Sequence, residues 1–181
     1  MLYGLTLPKY DEVKALEGTG PFAVSKYYKF PWNIFYCFKL WMIVQDLPKK
    51  KTKNILDFGA GRAKIFHEEL QKHAERVLSV EKKEELDLRW RFDVVVCASS
   101  LEFMYLKTAL AAIKCVIHDK GTLIVASPMD TWLTRLYFKL IGDTYTRNTH
   151  NDIIEAVQKY FTIEKCRRWM GLYFCLKAVP K

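Results

Sequence analysis

Residues 53–64, Lys-Asn-Ile-Leu-Asp-Phe-Gly-Ala-Gly-Arg-Ala-Lys, constrain the fold more than any other stretch of the chain. A short apolar run, Ile55-Leu56, reaches Asp57. Gly59 and Gly61 follow, and a helical pattern begins at Ala63. The order is strand, tight turn, helix. Glycine suits such a turn because it tolerates positive φ and lets a ligand approach the backbone. A helix N-terminus behind the turn offers N–H groups to polar ligand atoms.

Spacing separates two kinds of nucleotide-binding turn. A dinucleotide turn reads G-x-G-x-x-G. Counted from Gly59, its third glycine falls on Lys64, which would set a long side chain against the pyrophosphate. The pattern acidic-x-Gly-x-Gly-x-Gly/Ala is met instead by Asp57, Gly59, Gly61 and Ala63. That run resembles the first motif of the class I S-adenosylmethionine-dependent methyltransferases, where the turn wraps the methionine and ribose part of the cofactor. A chance Gly-x-Gly turn between a strand and a helix would look the same, so the rest of the chain has to agree.

Downstream order supports the resemblance. A helix is expected over 63–73, with Ile65, Phe66, Leu70 and His73 toward a sheet. A strand over 76–80 ends at Glu81, 20 residues beyond Gly61. An acid there can accept hydrogen bonds from both ribose hydroxyls. Residues 92–97 form an apolar run suited to a sheet buried on both faces. The segment Ser99-Ser100-Leu101-Glu102-Phe103 then resembles the Ser-x-Leu-Glu-His run of small-molecule methyltransferases of type 11. It departs from that run because only Ser99 has the right spacing and Phe103 stands where histidine is common. A helix over 106–117, the Lys120-Gly121 stop and a strand over 122–126 follow. Helices are expected over 131–141 and 152–160, the second capped by Asn151. Strands over 161–166 and 172–178 close the sheet as an antiparallel pair.

The fold the resemblance implies is therefore α/β: a Rossmann-like, mostly parallel sheet with a C-terminal antiparallel strand pair. One part of the chain departs from it. Only ten residues separate Glu81 from Phe92, where the family places a helix and a further strand. Either 85–88 is a stub of strand or that edge of the sheet is missing.

The resemblance implies S-adenosyl-L-methionine as cofactor. Its implied contacts are Asp57, Phe58, Gly59, Ala60, Gly61, Glu81, Lys82, Ala98, Ser99 and Ser100, with Asp87 as the acid for the adenine amino group. Residues 53–181 would be the cofactor-binding domain. Residues 1–52 would be a helical and aromatic extension serving as lid or cover. Within it, 33–47 reads as a helix apolar on most sides, with Lys39 and Asp46 on one narrow stripe. It is too short to span a bilayer. Together with the helix over 131–141 it could roof a hydrophobic acceptor. The candidate acceptor contacts are Trp41, Glu102, Phe103, Trp132 and Tyr137.

Methyl transfer places few demands on side chains. The leaving group is a neutral thioether, and a base is needed only when the nucleophile arrives protonated. No Asn/Asp-Pro-Pro-Tyr segment follows the central strand, which argues against amino-group methylation of nucleobases. Cys97 has no following proline and falls in a strand interior, which argues against a C5-pyrimidine nucleophile. The five cysteines form no C-x-x-C pair, and no metal site is expected. A reducing, cytoplasmic setting and no secretory signal follow from the same reading.

Formal net charge is +9, from 29 Lys and Arg against 20 Asp and Glu. With the basic run 48–53, this permits RNA or protein as acceptor, or peripheral contact with an anionic membrane. A small-molecule or lipid-like acceptor is the leading expectation. A methyltransferase-like fold that no longer catalyses and serves as an interaction module is the third.

Overall fold

The computed structural model describes residues 33–61, 64, 66–141 and 148–181, together with Leu5, Lys14 and Pro31. Its strands are β1 (Thr52–Phe58), β2 (Ala74–Val80), β3 (Phe92–Ala98), β4 (Ile117–Pro128), β5 (Phe161–Trp169) and β6 (Tyr173–Pro180). They form one sheet in the order β2-β1-β3-β4-β6-β5. Strands β2, β1, β3 and β4 are parallel, and β6 runs antiparallel between β4 and β5. Ile55-Leu56, Val94-Val95-Val96-Cys97 and Leu123-Ile124-Val125-Ala126 are buried, because helices cover both faces of the sheet.

The helices are α1 (Asn33–Asp46), α2 (His67–Gln71), α3 (Leu106–Val116), α4 (Trp132–Ile141) and α5 (His150–Tyr160). On one face, Leu110, Ile113, Ile153 and Val157 of α3 and α5 pack with Phe92, Val95 and Phe174. On the other, Cys37, Leu40 and Ile43 of α1, Leu70 of α2 and Phe138 of α4 pack with Ile55, Val94, Val96 and Ile124. Helix α1, although it falls in the expected extension 1–52, is thus a layer of the sheet's own core. The short helix expected over 9–17 and the aromatic stretch 22–32 lie outside the described residues, apart from Lys14 and Pro31.

The polar stripe of α1 points inward. Lys165 Nζ donates to Asp46 Oδ1 at 3.1 Å, and Arg167 bonds both Asp46 and the Met42 carbonyl. Two charges from β5 therefore compensate the burial of one on α1, which a buried carboxylate requires.

Several local expectations are revised. The helix expected over 63–73 is the five-residue α2. Lys64 has φ +44, which breaks the helical path and delays the start to His67. The Lys120-Gly121 stop lies inside β4, which begins at Ile117. Phe92 pairs with Ile117 and Val94 with Thr122, so residues 118–121 bulge out. A Cβ at Gly121 would lie 2.6 Å from Ile117 Cγ1, so the bulge needs glycine. Helix α5 is capped by Thr149 and not Asn151. The Thr149 hydroxyl accepts from Asp152 N, and the Asp152 carboxylate accepts from Thr149 N at 2.8 Å.

The short segment after Glu81 holds a 3₁₀ turn, Lys83–Glu85, and no strand. Among the described residues the sheet therefore ends at β2. Six residues, 86–91, remain to return the chain to β3, too few to add a strand as well. No described helix is long and apolar enough to cross a membrane.

Candidate functional site

The carboxyl ends of β1 to β4 converge on one edge of the sheet, where ligands bind in open α/β folds. After β1 the backbone turns through Gly59 at φ +77 and Gly61 at φ +65. Gly59 N and Ala60 N donate to the Val80 carbonyl at 2.8 and 3.0 Å, which hangs the turn on the end of β2. The two glycines serve different needs. A Cβ on Gly59 would lie 2.3 Å from Ser100 Cβ, so this position lets β1 and β3 close together. Around a Cβ on Gly61, leaving its chain neighbours aside, no atom of the described residues lies within 4 Å, so among them this side of the turn opens outward.

Asp57 lies beneath the turn and is buried. Ser79 Oγ donates to its Oδ2 at 3.4 Å, and His67 Nδ1 lies 2.8 Å from Ser79 Oγ. Gln71 Nε2 is 3.0 Å from His67 Nε2. One tautomer satisfies the whole chain: Gln71 donates to His67, His67 to Ser79, and Ser79 to Asp57. Burial pushes the Asp57 carboxyl up to about 7, against the opposing pull of Ser79 and Lys64. Burial, with Lys64 beside it, lowers the His67 imidazole below its ordinary value.

Phe58 is fully buried, while Ala60, Gly61 and Glu81 are half-buried and Lys82 is exposed. Glu81 stands at the end of β2, and its backbone N–H donates to Glu85 Oε2 at 3.0 Å. Asp87 follows the 3₁₀ turn on the way to β3. Arg89 Nη2 donates to it at 2.7 Å and Nε at 3.0 Å, and this pairing holds its carboxyl down at about 2.

Beyond β3, Ser100 Oγ donates to the Phe58 carbonyl at 2.9 Å and ties β3 to β1. Half-buried Ala98 and Ser99 continue the same edge, and Ser99 has φ +58. Such a conformation in a non-glycine residue is held by its surroundings. Here Ser99 N donates to the Ala126 carbonyl at 2.8 Å, and Lys39 Nζ donates to Ser99 Oγ at 2.7 Å. Lys39 itself is buried, 4.2 Å from the Tyr36 ring centroid and 5.7 Å from that of Tyr173.

Glu102 completes the row. It is 1% exposed, and Ser127 Oγ donates to its Oε2 at 2.7 Å. Its Oε1 is buried with no hydrogen-bond partner. Burial pushes this carboxyl up to about 7, while Ser127, Lys39 and Ser99 pull the other way. Asn148 clamps the turn that carries it, donating to the Leu101 and Met104 carbonyls at 2.8 and 2.7 Å.

The other expected acceptor contacts divide. Tyr137 is buried beside Phe35, at 5.1 Å between ring centroids, and faces Tyr173. Trp41 is half-buried and edge-on to Phe38. Phe103 is half-buried. Trp132, on the outward side of α4, is 75% exposed. Cys97 is wholly buried, and burial raises its thiol far above the ordinary range, which makes it inert. Lys39, Tyr36, Ser127 and Tyr173 escaped the sequence reading. A lysine in an otherwise apolar helix was the available signal, since lysine is seldom buried without a partner.

No known family's sequence profile matches the chain, and no curated protein does. Solved structures match it well. The N-methyltransferase NodS from Bradyrhizobium japonicum, determined with S-adenosyl-L-homocysteine, has a TM-score of 0.60 and 13% identity over 94% of this chain and 97% of its own. A TehB-like SAM-dependent methyltransferase from Corynebacterium glutamicum has a TM-score of 0.55 and 15% identity over 90% and 100%. An S-adenosylmethionine-dependent methyltransferase from Mesorhizobium loti has a TM-score of 0.58 and 14% identity over 78% and 97%. At such identities the shared property is architecture: the chain has the class I S-adenosylmethionine-dependent methyltransferase fold, shortened at its β2 edge.

Proposed function

We propose that the chain is an S-adenosylmethionine-dependent methyltransferase that acts on a small-molecule or lipid-like acceptor. The observation that carries this reading is the outward-opening side of the Gly61 turn, with Glu81 on one flank and Ser99 on the other. Room at Gly61 fits a ligand lying against the backbone, and Glu81 fits two hydroxyl donors at the end of β2. Phe58 to Gly61, Glu81, Lys82 and Ala98 to Ser100 would hold the cofactor, with Asp57 fixing the turn from below. Asp87, paired with Arg89, would accept from the adenine amino group with its remaining lone pairs. When bound, S-adenosylmethionine supplies an electrophilic methyl carbon on a sulfonium centre. The chain's own contribution is to orient the acceptor against that carbon and exclude water, effects that can supply much of the acceleration.

Charge gives little support to a nucleic-acid acceptor. The exposed lysines 49–51 and Lys53 lie at the amino end of β1. The glycine turn is a whole strand away, roughly 23 Å at ~3.3 Å per residue. The free thiols at all five cysteines support a reducing compartment such as the cytoplasm.

The test is titration calorimetry with S-adenosylmethionine and S-adenosylhomocysteine. Both are expected to bind wild type with one site per chain. Absence of binding would leave the interaction-module reading in its place.

A further inference from the structure

The buried cluster of Lys39, Ser99, Glu102 and Ser127 joins α1 to the ends of β3 and β4, and it borders the glycine turn. Gly59 packs on Ser100, Ser99 is the next residue along the edge, and Glu102 and Ser127 follow at the ends of β3 and β4. A buried carboxylate oxygen without a partner is costly and calls for a reason. Glu102 Oε1 is such an atom. We propose that this cluster is the acceptor half of the site, and that it takes a neutral hydroxyl group on an apolar body, with Glu102 Oε1 receiving the hydroxyl proton. The inference rests on the methyltransferase reading and adds the class of acceptor and the base.

Charge selects that class. A cationic amine would meet the Lys39 ammonium, and an anionic carboxylate would meet Glu102. A neutral hydroxyl can donate to Oε1 and turn its oxygen toward the cationic side. The rings of Tyr36 and Tyr173 lie against Lys39, and buried Tyr137 bonds Tyr173 beside them. As the oxygen attacks, its O–H bond breaks and the proton passes to Glu102 Oε1. An oxygen electron pair forms the O–CH₃ bond, and the methyl–sulfur bond breaks with its pair going to sulfur. The products are a methyl ether, a neutral thioether and a protonated Glu102. Developing negative charge on the attacking oxygen is met by Lys39. Charged or titratable groups facing Glu102 are Lys39 from α1, Cys97 from β3 and Tyr173 from β6. Burial among them sets the carboxyl near 7, where a general base is effective at neutral pH. Ser99, half-buried with Ala98, is the part of the cluster that meets solvent.

Phenol, benzylamine and benzoate serve as neutral, cationic and anionic probes, each titrated into protein saturated with S-adenosylhomocysteine. Phenol is expected to bind at least tenfold more tightly than the other two. Its affinity should fall as pH drops below about 7, when Glu102 takes up a proton. Glu102→Gln should weaken phenol at least fivefold and flatten that pH profile. Lys39→Met should raise benzylamine affinity at least fivefold, and it reports on the cluster even if the Glu102 variant fails to fold. No phenol binding at millimolar concentration, equal binding of the three probes, a flat profile in wild type, or no gain for benzylamine would each overturn the proposal. Failure of S-adenosylhomocysteine to bind is read separately, in the first titration, and rejects the methyltransferase reading itself.

Discussion

Asp57→Asn should make the protein more stable at neutral pH and above, and not in acid. The carboxyl is buried beneath the glycine turn, and burial pushes it up to about 7. In the unfolded chain it titrates at about 4, as free aspartates do. The folded state therefore keeps a proton that the unfolded chain has already released. Stability from this difference is whole below about pH 4 and is lost as pH rises through about 7. At about 1.4 kcal/mol for each pH unit between the two values, the loss is about 4 kcal/mol over the full window. Between about pH 4.5 and about pH 8 it is about 3 kcal/mol. Asparagine keeps the volume and can still accept from Ser79, but it has no proton to lose. Urea unfolding of both proteins at the two pH values isolates the effect, because every other titrating group is common to both. With a slope of roughly 2 kcal/mol per molar urea, the variant's midpoint should gain about 1.5 M on wild type between the lower and higher pH. A midpoint difference that is the same at both values refutes the reasoning.

The two glycines of the turn should separate in behaviour. Gly61→Val should fold, with some backbone strain, and lose S-adenosylhomocysteine binding in calorimetry, whereas Gly59→Ala should fail to fold by circular dichroism because its Cβ meets Ser100 at 2.3 Å. Glu81→Ala should cost about tenfold or more in S-adenosylhomocysteine affinity, since charge-assisted hydrogen bonds contribute roughly 1.5–3 kcal/mol; an unchanged Kd removes the ribose role. Asp46→Ala strands Arg167 in a largely buried setting and should cost about 3 kcal/mol, read as a fall of about 6–12 °C in Tm. Trp132→Ala should change stability by no more than about 0.5 kcal/mol, since the ring is mostly in solvent; a loss of several kcal/mol would mean that the side chain seals the core.

The parts of the fold legible in the sequence are those set by local chemistry. The apolar runs of β1 and β3 and the Gly-x-Gly turn needed no partner to be recognised. The trimmed edge beyond β2 was legible as a count of ten residues. What escaped was set by tertiary contact. Lys39 and Asp46 read only as a narrow polar stripe, because nothing near them in sequence announces Ser99, Lys165 or Arg167. The bulge in β4 was hidden because Lys120-Gly121 is an ordinary helix stop; only the register against β3 makes it part of a strand. Helix α2 is short because Lys64 adopts positive φ, an uncommon conformation for lysine that residue type does not signal.

The end of the sheet at β2 has a consequence for breathing motions. An edge strand bonds to one neighbour only, so among the described residues the outward row of β2 amides has no ladder partners, and Glu75 and Arg76 are exposed. Hydrogen exchange should therefore be faster at β2 than at β1 and slow further inward to β3, since opening free energies rise from margins to cores. The glycine turn hangs by two bonds from Val80, the last residue of that fraying strand. The ligand-facing turn thus shares one margin of the sheet, and a ligand that spans Gly61 and Glu81 would staple that margin shut.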